Sequence, residues 1–265
     1  MRSVAAAGVL ALALCAGCGG SGGRHAASPQ RARSVPSPKA PERHQVKPAG
    51  CRAGSDERLG SSRLAYAAVV RRRAVAFRFP GRRPFASFEH LNVNGAVTVL
   101  GVLGAVVRDD CSAAWYRVAL PIRPNGAWGY VRARSVALVA VRTRIVVDLS
   151  ARRLTLYRNG RPVMSAVAGV GASGTPTPTG RFYVDQRLIP ADASGPWGPG
   201  AIGISAHSDV LQYSWIQGAP IAIHGTNEPW SVGRAASHGC IRLDNAVLLR
   251  LFARTPAGTP VIIRA

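Results

Sequence analysis

The chain has 265 residues and a formal net charge of +22, with 34 Lys and Arg against 12 Asp and Glu. Hydrophobic residues make up 47% of it and charged residues 17%, so a largely disordered chain is excluded and a sizeable core can form. Its length suits one large domain or two small ones. The charge predicts anionic partners, such as nucleic acid, anionic lipid or an acidic wall polymer, without choosing among them.

Residues 1–18 have the features of a secretory signal. Arg2 precedes an apolar run from Val4 to Leu14, which is too short to span a hydrocarbon core about 30 Å thick, and small residues follow it. The sequence Ala16-Gly17-Cys18 resembles the end of a bacterial lipobox, although Cys15 stands where leucine is usual. The resemblance implies lipidation of Cys18 after cleavage, and an ordinary cleaved signal is the alternative. No later apolar run reaches about 18 residues, so no transmembrane helix is expected.

Residues 19–57 are predicted to be a disordered tether. They begin with a run of Gly and Ser and continue with scattered Pro, Ala, Arg and Lys. Such a segment buries too little apolar surface to offset the entropy lost on ordering it. A lipid anchor followed by a tether suits a protein that reaches from a membrane into the cell wall.

The five cysteines fall into two groups of two and leave one cysteine over. Cys15 and Cys18 belong to the signal region. Cys51 and Cys111 are left to pair in an oxidising compartment, although spacing alone does not establish that they can. Cys240 is then the odd cysteine, which in an exported protein indicates either an intermolecular disulfide or a reactive thiol.

Residues 58–141 are predicted to form a small β domain. Ala96–Val107 is rich in Val and Leu, Trp115–Leu120 alternates in polarity, and Pro121–Gly126 supplies turn residues. The segment from Trp115 to Leu138 resembles the C-terminal part of bacterial SH3-like domains, which are small β-barrels often attached to wall enzymes. The resemblance implies an SH3-like barrel. Its arginine-rich surface either binds a specific anionic ligand or is only solvated.

Residues 142–265 again predict mostly strands, with one late helix. Asn159-Gly160 is a strong hairpin signal, and Asp244 is a candidate N-cap for the helix. The apolar face of that helix comprises Val247, Leu248, Leu251 and Phe252. The predicted strands are Ile145–Leu149, Leu154–Tyr157, Pro162–Val170, Arg181–Arg187, Pro220–His224 and Val261–Arg264. The predicted fold class of the whole chain is therefore mostly β.

One glycine motif does not indicate a nucleotide site. Gly169–Gly174 matches the pattern G-x-G-x-x-G, which binds a dinucleotide only where it opens a helix after a strand. Pro176 and Pro178 follow almost at once and preclude a regular helix there. The sequence therefore predicts a turn-rich loop.

The residues with reactive side chains lie between His224 and Cys240. A free thiol with a pKa of about 8.5 is mostly protonated at neutral pH, so a nucleophilic cysteine needs an imidazole to take its proton. A strand ending at His224, followed by a loop of turn formers, would return Cys240 to its side and give a pair able to form an acyl thioester. His238 is the second nearby histidine. Gly239 would let the backbone N–H groups of Gly239 and Cys240 approach a developing oxyanion.

Two other roles for Cys240 stay open on this reasoning. With His238, His224 and His207 it forms a permissible set of zinc ligands, although the spacing matches no common zinc pattern. A single cysteine is also often a buried structural residue.

A family resemblance narrows these alternatives. The segments His224–Asn227 and Ser237–Arg242 closely resemble the signature of L,D-transpeptidase catalytic domains of the YkuD type. The likeness extends upstream through Thr175–Phe182 and Gly198–Ser208, and it covers about Arg142 to Arg264. It implies a β-sandwich-like domain with a small helical contribution. It also implies a cysteine acyltransferase that acts on peptidoglycan stem peptides without a metal or other cofactor.

The resemblance implies three catalytic residues. Cys240 would attack the carbonyl between the diamino acid at stem position three and the D-Ala at position four. His224 would be the base, oriented through the backbone carbonyl of Gly225, and His238 would have a supporting role.

Further residues match the family at positions outside this group. Ser237 and Arg242 are predicted to orient the site or bind substrate. Arg242 would hold a carboxylate of the stem or of the active-site loop, and a surface ion pair is the alternative. His207 and Tyr213 fall in a region where substrate contacts can occur, and neither is assigned a role.

The predicted function is that of a peptidoglycan L,D-transpeptidase, in which D-Ala leaves and an amine of a neighbouring stem resolves the thioester to give a 3→3 crosslink. An L,D-carboxypeptidase and a stem-to-protein transferase would use the same nucleophile, and a wall-binding lipoprotein without turnover is the non-catalytic alternative. The expected location is the outer face of the cytoplasmic membrane or the cell wall. The expected partners are stem peptides and the anionic envelope rather than nucleic acid, with membrane contact only through an N-terminal lipid.

Overall fold

The computed structural model describes residues 51–211 and 219–265, together with the backbone of strand β1 (Arg33–Ser34). The predicted signal, Cys18, most of the predicted tether and Tyr213 lie outside the described residues. Within these limits the prediction of a mostly β fold is confirmed. Both halves consist mainly of strands, and the described residues contain one α-helix, late in the chain. In the described parts, no helix is both long and apolar enough to cross a membrane.

The N-terminal half is one antiparallel sheet. Its strands follow the order β5-β4-β8-β7-β6-β3-β9, and β2 pairs with β6 beside this path. The strands are β2 (Asp56–Arg58), β3 (Ala65–Val70), β4 (Arg73–Phe79), β5 (Arg82–Glu89), β6 (Val99–Val107), β7 (Ala113–Ala119), β8 (Trp128–Arg132) and β9 (Val136–Val141). The segments Ala96–Val107 and Trp115–Leu120, which the sequence predicts as strands, contain or overlap β6 and β7. The likeness to SH3-like barrels stays a prediction.

Ordered structure begins before the boundary predicted at residue 58. Cys51 is bonded to Cys111 in a disulfide, and Asp56–Arg58 forms β2 on the edge of β6. Arg33–Ser34 also pairs with residues 188–189 of the C-terminal half. The composition of residues 51–57 gave no sign of this, because a covalent bond and a ladder of backbone hydrogen bonds hold them rather than buried apolar side chains.

The C-terminal half is built on a second sheet in the order β12-β11-β10-β19-β14-β15-β16-β18, and β13 pairs with β17 separately. The pairs β10–β19, β16–β18 and β13–β17 are parallel. The elements are β10 (Thr143–Asp148), β11 (Arg153–Arg158), β12 (Arg161–Val167), β13 (Val170–Gly171), β14 (Gly180–Ile189), β15 (Ala201–His207), β16 (Pro220–His224), β17 (Ala235–Ser237), β18 (Ile241–Arg242), α1 (Asn245–Arg254) and β19 (Pro260–Arg264). All six strands predicted in this half are present.

Alternation along the strands explains the core of this half. Ile145 and Val147 of β10 and Leu154 and Leu156 of β11 are fully buried, while their neighbours in sequence face outward. These side chains belong to one apolar cluster with Leu248 and Leu251 of α1. Burying one such side chain contributes about 2 kcal/mol of hydrophobic stabilisation.

Helix α1 begins where the sequence predicts. Asp244 accepts hydrogen bonds through Oδ1 from the N–H groups of Ala246 at 2.9 Å and Val247 at 3.2 Å. A carboxylate in this position satisfies N–H groups that lack a partner within the helix and complements the helix dipole. The helix packs near β16, which carries His224.

The G-x-G-x-x-G segment forms a loop, as predicted. Its residues Val170–Gly171 are the short strand β13, and an irregular stretch with a turn leads from there to β14 without any helix. A side chain at Gly171 would lie 2.3 Å from the carbonyl oxygen of Thr175. The glycine is therefore required by a close approach of two backbones, not by a phosphate.

The two halves of the chain touch along β6 and β14. Gly101 of β6 lies against the ring of Tyr183 in β14, where an added Cβ would be 2.7 Å from Cδ1. Asn92 and Asn94 each donate a hydrogen bond of 2.9 Å to Oε1 of Gln186. The interface therefore combines close backbone packing with specific polar contacts.

A second contact between the halves lies at the end of β15. Asn125 accepts a hydrogen bond from the His207 N–H at 2.9 Å and donates to the His207 carbonyl at 2.7 Å and to Asp209 Oδ1 at 2.9 Å. Arg123 donates to the carbonyl of Leu211 at 2.9 Å. The turn Pro121–Gly126 of the N-terminal half thus holds the segment that follows β15.

Asn125→Ala is expected to lower the free energy of unfolding by about 2 kcal/mol, because it leaves polar groups of His207 without partners. Amide hydrogen exchange at His207 should become faster. Asn94→Ala is the control, since it removes a contact between the halves that does not involve His207. Unchanged exchange at His207 in Asn125→Ala would contradict the expectation.

Candidate active site

The structure brings Cys240 and His224 to neighbouring strands. Strands β16 and β18 run parallel, and His224 lies opposite Arg242. One residue before β18, Cys240 accepts a hydrogen bond at Sγ from the backbone N–H of Ala222, 3.4 Å away. Side chains alternate along a strand, so Ala222 and His224 share a face of β16. The thiol therefore lies beside the strand that carries the imidazole.

His224 is buried and its tautomer is fixed. Only 5% of the residue is exposed, and Nδ1 lies 2.5 Å from the carbonyl oxygen of Gly225. A carbonyl only accepts hydrogen bonds, so Nδ1 carries the proton, and in the neutral ring Nε2 keeps its lone pair. The ring of Trp197 lies over the imidazole with centroids 4.7 Å apart. His224 is thus arranged as a base through Nε2.

Burial lowers the pKa of His224 to about 4, and the positive charge of Arg242 acts in the same direction while the Gly225 carbonyl opposes it. Burial raises the pKa of the Cys240 thiol, with the Ala222 N–H and Arg242 partly offsetting the effect. At neutral pH the imidazole is therefore neutral and the thiol protonated. The resting pair is uncharged rather than a thiolate–imidazolium ion pair.

At Gly225, the residue after His224, the backbone is packed too tightly for any side chain. A Cβ on Gly225 would lie 2.2 Å from Oδ1 of Asn245 and 2.9 Å from Cδ of Pro199. The same Asn245 oxygen accepts a hydrogen bond from the Thr226 N–H at 2.8 Å. Asn245, the first residue of α1, therefore holds the turn whose carbonyl orients His224.

A side-chain hydrogen bond shapes the turn that presents Cys240. Ser237 donates through Oγ to the carbonyl of Cys240 at 2.6 Å and accepts from the N–H of Gly239 at 3.1 Å. Gly239 has φ of +114°, a conformation that side chains disfavour. The Gly239 N–H thus donates to Ser237 in this structure. The oxyanion hole formed by the N–H groups of Gly239 and Cys240 stays a prediction.

Two threonines donate hydrogen bonds to the backbone of this turn. Thr177 donates to the carbonyl of Gly239 at 2.8 Å and accepts from the Gly171 N–H at 2.9 Å. Thr175 donates to the carbonyl of Ser237 at 3.0 Å. The segment Thr175–Phe182, which the sequence singled out only by resemblance, thus positions the backbone around the nucleophile.

Arg242 is paired with a carboxylate of the active-site loop. Its Nη1 lies 2.5 Å from Oε2 of Glu228, and the side chain of Arg242 is only 14% exposed. This contact corresponds to one of the predicted roles, although the side chain of Glu228 is 44% exposed, and a role of Arg242 in orienting the site stays a prediction. Its Nε is buried without a hydrogen-bond partner.

The other two histidines named from the sequence lie at different places. His238 is exposed on the turn before Cys240, and its supporting role stays a prediction. His207 pairs with Pro220, whereas His224 pairs with Ala201 at the other end of β15. In the parts of the chain that the structure describes, no three His, Cys, Asp or Glu side chains are grouped so that they could hold a metal ion. The zinc alternative therefore has no ligand set there.

Sequence reasoning missed four residues that position the site: Trp197, Glu228, Thr177 and Asn245. Each acts across the fold, so no local pattern marks it. Thr177 alone carries a signal, because it belongs to the segment that resembles the family.

A second buried ionisable group lies between the halves. Burial raises the pKa of Asp185 to about 7, while hydrogen bonds from the N–H groups of Asp185 and Gln186 oppose the change. Its Oδ1 is buried without a hydrogen-bond partner. Asp185 thus favours the protonated form in the folded state, whereas His224 favours the neutral form.

These two groups are expected to give opposite pH dependences. His224, with a folded pKa of about 4 against an ordinary 6.5, contributes stability that is present above pH 6.5 and lost as the pH falls toward 4. Asp185, at about 7 against 3.8, contributes stability that is present below pH 3.8 and lost as the pH rises toward 7. Between pH 4 and 6.5 the two groups change the free energy of unfolding in opposite directions, and their effects cancel.

In Asp185→Asn the pH dependence of stability that comes from His224 should therefore become visible. At 1.36 kcal/mol for each unit of pKa, the free energy of unfolding of this variant should rise by roughly 3 kcal/mol between pH 4 and 6.5. His224→Asn should show a fall over the same range. Urea denaturation at several pH values measures both, and two variant curves parallel to the wild-type curve would contradict the assignment.

A half-buried thiol beside a neutral histidine that is fixed through Nδ1 defines a cysteine-dependent enzyme site. Comparison with known proteins identifies the family. Residues 142–263 match the family model for the L,D-transpeptidase catalytic domain, YkuD. The C-terminal half is thus a YkuD-type L,D-transpeptidase catalytic domain, and the N-terminal half is an additional β domain.

Individual relatives show the same match. YkuD of Bacillus subtilis (strain 168) is 36% identical over 119 residues, which cover 45% of this chain and 64% of that protein. YbiS of Escherichia coli (strain K12) is 30% identical over 136 residues, covering 44% and 43%. The solved catalytic domain of an E. faecium L,D-transpeptidase is 26% identical, covering 46% of this chain and 96% of that one, with a TM-score of 0.34. The chain spans less than two thirds of the length of these curated relatives.

Proposed function

We propose that this protein is a peptidoglycan L,D-transpeptidase that forms 3→3 crosslinks through an acyl-enzyme on Cys240. The observation that carries the proposal is the orientation of His224. Its Nδ1 proton is committed to the Gly225 carbonyl, so Nε2 is left as a proton acceptor on the strand beside the thiol. The family of residues 142–263 supplies the substrate class, peptidoglycan stem peptides.

The neutral resting pair determines how the first step runs. Because the thiol is protonated, its proton moves to His224 Nε2 as Sγ forms a bond with the carbonyl carbon of the residue at stem position three. The developing oxyanion accepts a hydrogen bond from the Cys240 N–H. The bond to D-Ala then breaks, and His224 returns the proton to the leaving amine. A thioester on Cys240 remains.

The second step decides the type of product. An amine from a neighbouring stem attacks the thioester, loses its proton to His224, and leaves with the acyl group as a crosslink, while the thiol regains a proton. Water in place of the amine would make the protein an L,D-carboxypeptidase, and a protein amine would make it a stem-to-protein transferase. The positions of Cys240 and His224 serve all three outcomes equally.

We place the protein outside the cytoplasm, in contact with the wall. The family acts on peptidoglycan, and a disulfide such as Cys51–Cys111 persists in oxidising compartments. Lipidation of Cys18 would tie it to the membrane. Globomycin, which blocks processing of lipoproteins, should then cause the precursor to accumulate, and release of unlipidated protein into the medium would contradict the anchor.

Incubation of the full-length protein with a disaccharide-tetrapeptide tests the function. Intact-protein mass spectrometry should detect an adduct equal to the substrate minus D-Ala. Product masses then separate a crosslinked dimer from a hydrolysed tripeptide. A protein that forms no adduct and leaves the stem unchanged would instead support the wall-binding alternative.

A further inference from the structure

A pocket lies at the junction of the two halves, away from Cys240. It is lined by residues 61–65 of the N-terminal half, by the connection at residues 141–144, and by Tyr157, Gly160 and Pro260 of the C-terminal half. Its cavity volume is about 20 Å³. That is room for about one water-sized group, so a ligand would place a single group in the pocket and the rest at its open mouth.

Three arginines from three parts of the fold line this pocket: Arg63, Arg142 and Arg144. The stem of Arg63 lies against the hairpin turn at Gly160, where an added Cβ would be 2.9 Å from its Cγ. The backbone carbonyl of Arg142 accepts a hydrogen bond from the Asn159 N–H, which holds the connection against the same turn. These contacts hold the stem of Arg63 and the backbone of Arg142 beside the pocket.

The third arginine is held on an aromatic ring. The guanidinium of Arg144 lies 4.7 Å from the centroid of Tyr157, and its Nε is buried without a hydrogen-bond partner. A buried guanidinium N–H without an acceptor is costly unless a ligand or water satisfies it. Stacking on Tyr157 fixes the plane of the group, as it does at sites that recognise planar or tetrahedral anions.

The positive charge of the pocket is not balanced by the described residues. No Asp or Glu lines it, and among residues 51–211 and 219–265 every arginine–carboxylate ion pair uses other arginines. Three arginines that line one small space give it a positive potential. An anion would reduce this potential and would accept the hydrogen bond that Nε of Arg144 lacks.

This pocket is separate from the catalytic pair. It lies at β10, β11 and the start of β19, whereas His224 is on β16, three strands beyond β19 in the sheet order β10-β19-β14-β15-β16. Neighbouring strands are about 4.8 Å apart, so three steps amount to roughly 14 Å across the sheet. Binding in the pocket therefore does not require contact with the reacting atoms.

We propose that this pocket binds a single phosphate group, either free or as part of a phosphodiester. Phosphate fits because arginine forks donate paired hydrogen bonds to its oxygens, and because its charge matches a cluster of guanidinium groups. One ligand would contact Arg63 of the N-terminal half and Arg144 of the C-terminal half together. Occupancy therefore stabilises the junction of the two halves.

Titration of the full-length protein with inorganic phosphate, at constant ionic strength set by chloride, tests the proposal. Calorimetry should give saturable binding of one phosphate per chain. Thermal unfolding should shift upward by about 4 °C at saturation, because the ligand binds only the folded state. A parallel titration with a glyceryl phosphodiester separates the two sources, since the tighter of the two ligands identifies free phosphate or a phosphodiester as the natural group.

Single arginine variants make the test specific. Arg63→Gln and Arg144→Gln should each weaken phosphate binding about tenfold or more, since each removes charge-assisted hydrogen bonds. Arg161→Gln on β12 is the matched control, because Arg161 is exposed and does not line the pocket. Arg63 is also exposed, so its variant stays informative should Arg144→Gln fail to fold. A response to phosphate that does not saturate, or an equal loss in Arg161→Gln, would overturn the proposal.

Discussion

Cys240→Ala is expected to abolish both the acyl-enzyme adduct and the crosslinked product. No other atom at this position can form the thioester, and removing the nucleophile of a cooperating pair typically lowers turnover by about 10⁴-fold or more. The fold should tolerate the change, because Sγ makes a single weak hydrogen bond with the Ala222 N–H. Mass spectrometry of protein and products after incubation with a disaccharide-tetrapeptide measures both losses.

Cys240→Ser separates the loss of the thiol from the loss of its volume. A hydroxyl fills nearly the same space, but it is far less acidic than a thiol, so its proton is much harder for His224 to remove. Both variants should therefore be inactive with thermal unfolding close to that of the wild type. Product formation by Cys240→Ala would rule out the proposed nucleophile.

The sequence was informative where neighbours along the chain determine the structure. Alternation identified the strands of the C-terminal half, and Asp244 marked the start of α1 because an N-cap acts on the next three residues. The hairpin β4–β5 was missed because Arg71, Arg72 and Arg73 begin it and Arg82 and Arg83 stand at its turn. These charges conceal a strand whose alternate residues, Ala74 and Ala76, are small and fully buried.

In the candidate site too, contacts between neighbours in the sequence were predictable and contacts between distant segments were not. The contact of His224 with Gly225 and the turn from Ser237 to Cys240 are local, and the sequence together with its family resemblance pointed to both. What surrounds them is assembled from distant segments. Thr177 reaches the nucleophile turn across 62 residues, and Asn245 reaches Thr226 from another element. The hydrogen bond from the Gly239 N–H to the Ser237 hydroxyl could not be expected from the sequence, because it depends on a rotamer that the sequence does not specify.

Gly225→Ala is expected to inactivate the protein without touching any reacting group. The new Cβ would overlap Asn245 Oδ1 and Pro199 Cδ, at 2.2 and 2.9 Å. A proline ring and the first residue of a helix yield little, so the backbone at residue 225 must move instead. The carbonyl then leaves Nδ1 of His224, which loses both its orientation and its fixed tautomer. A displacement of about 1 Å at such a site costs about 10²-fold in rate, and a wrong tautomer costs more.

Gly174→Ala is the matched control for this variant. Gly174 lies in the same domain, and an added Cβ would meet no atom within 4 Å, so its activity and stability should change by less than about 0.5 kcal/mol. Gly225→Ala should also lose about 2 kcal/mol of unfolding free energy from overpacking. Nitrogen NMR of the His224 ring distinguishes the two effects, because Nδ1 should lose its fixed proton only in Gly225→Ala. A wild-type rate of adduct formation in that variant would show that the Gly225 carbonyl does not position the base.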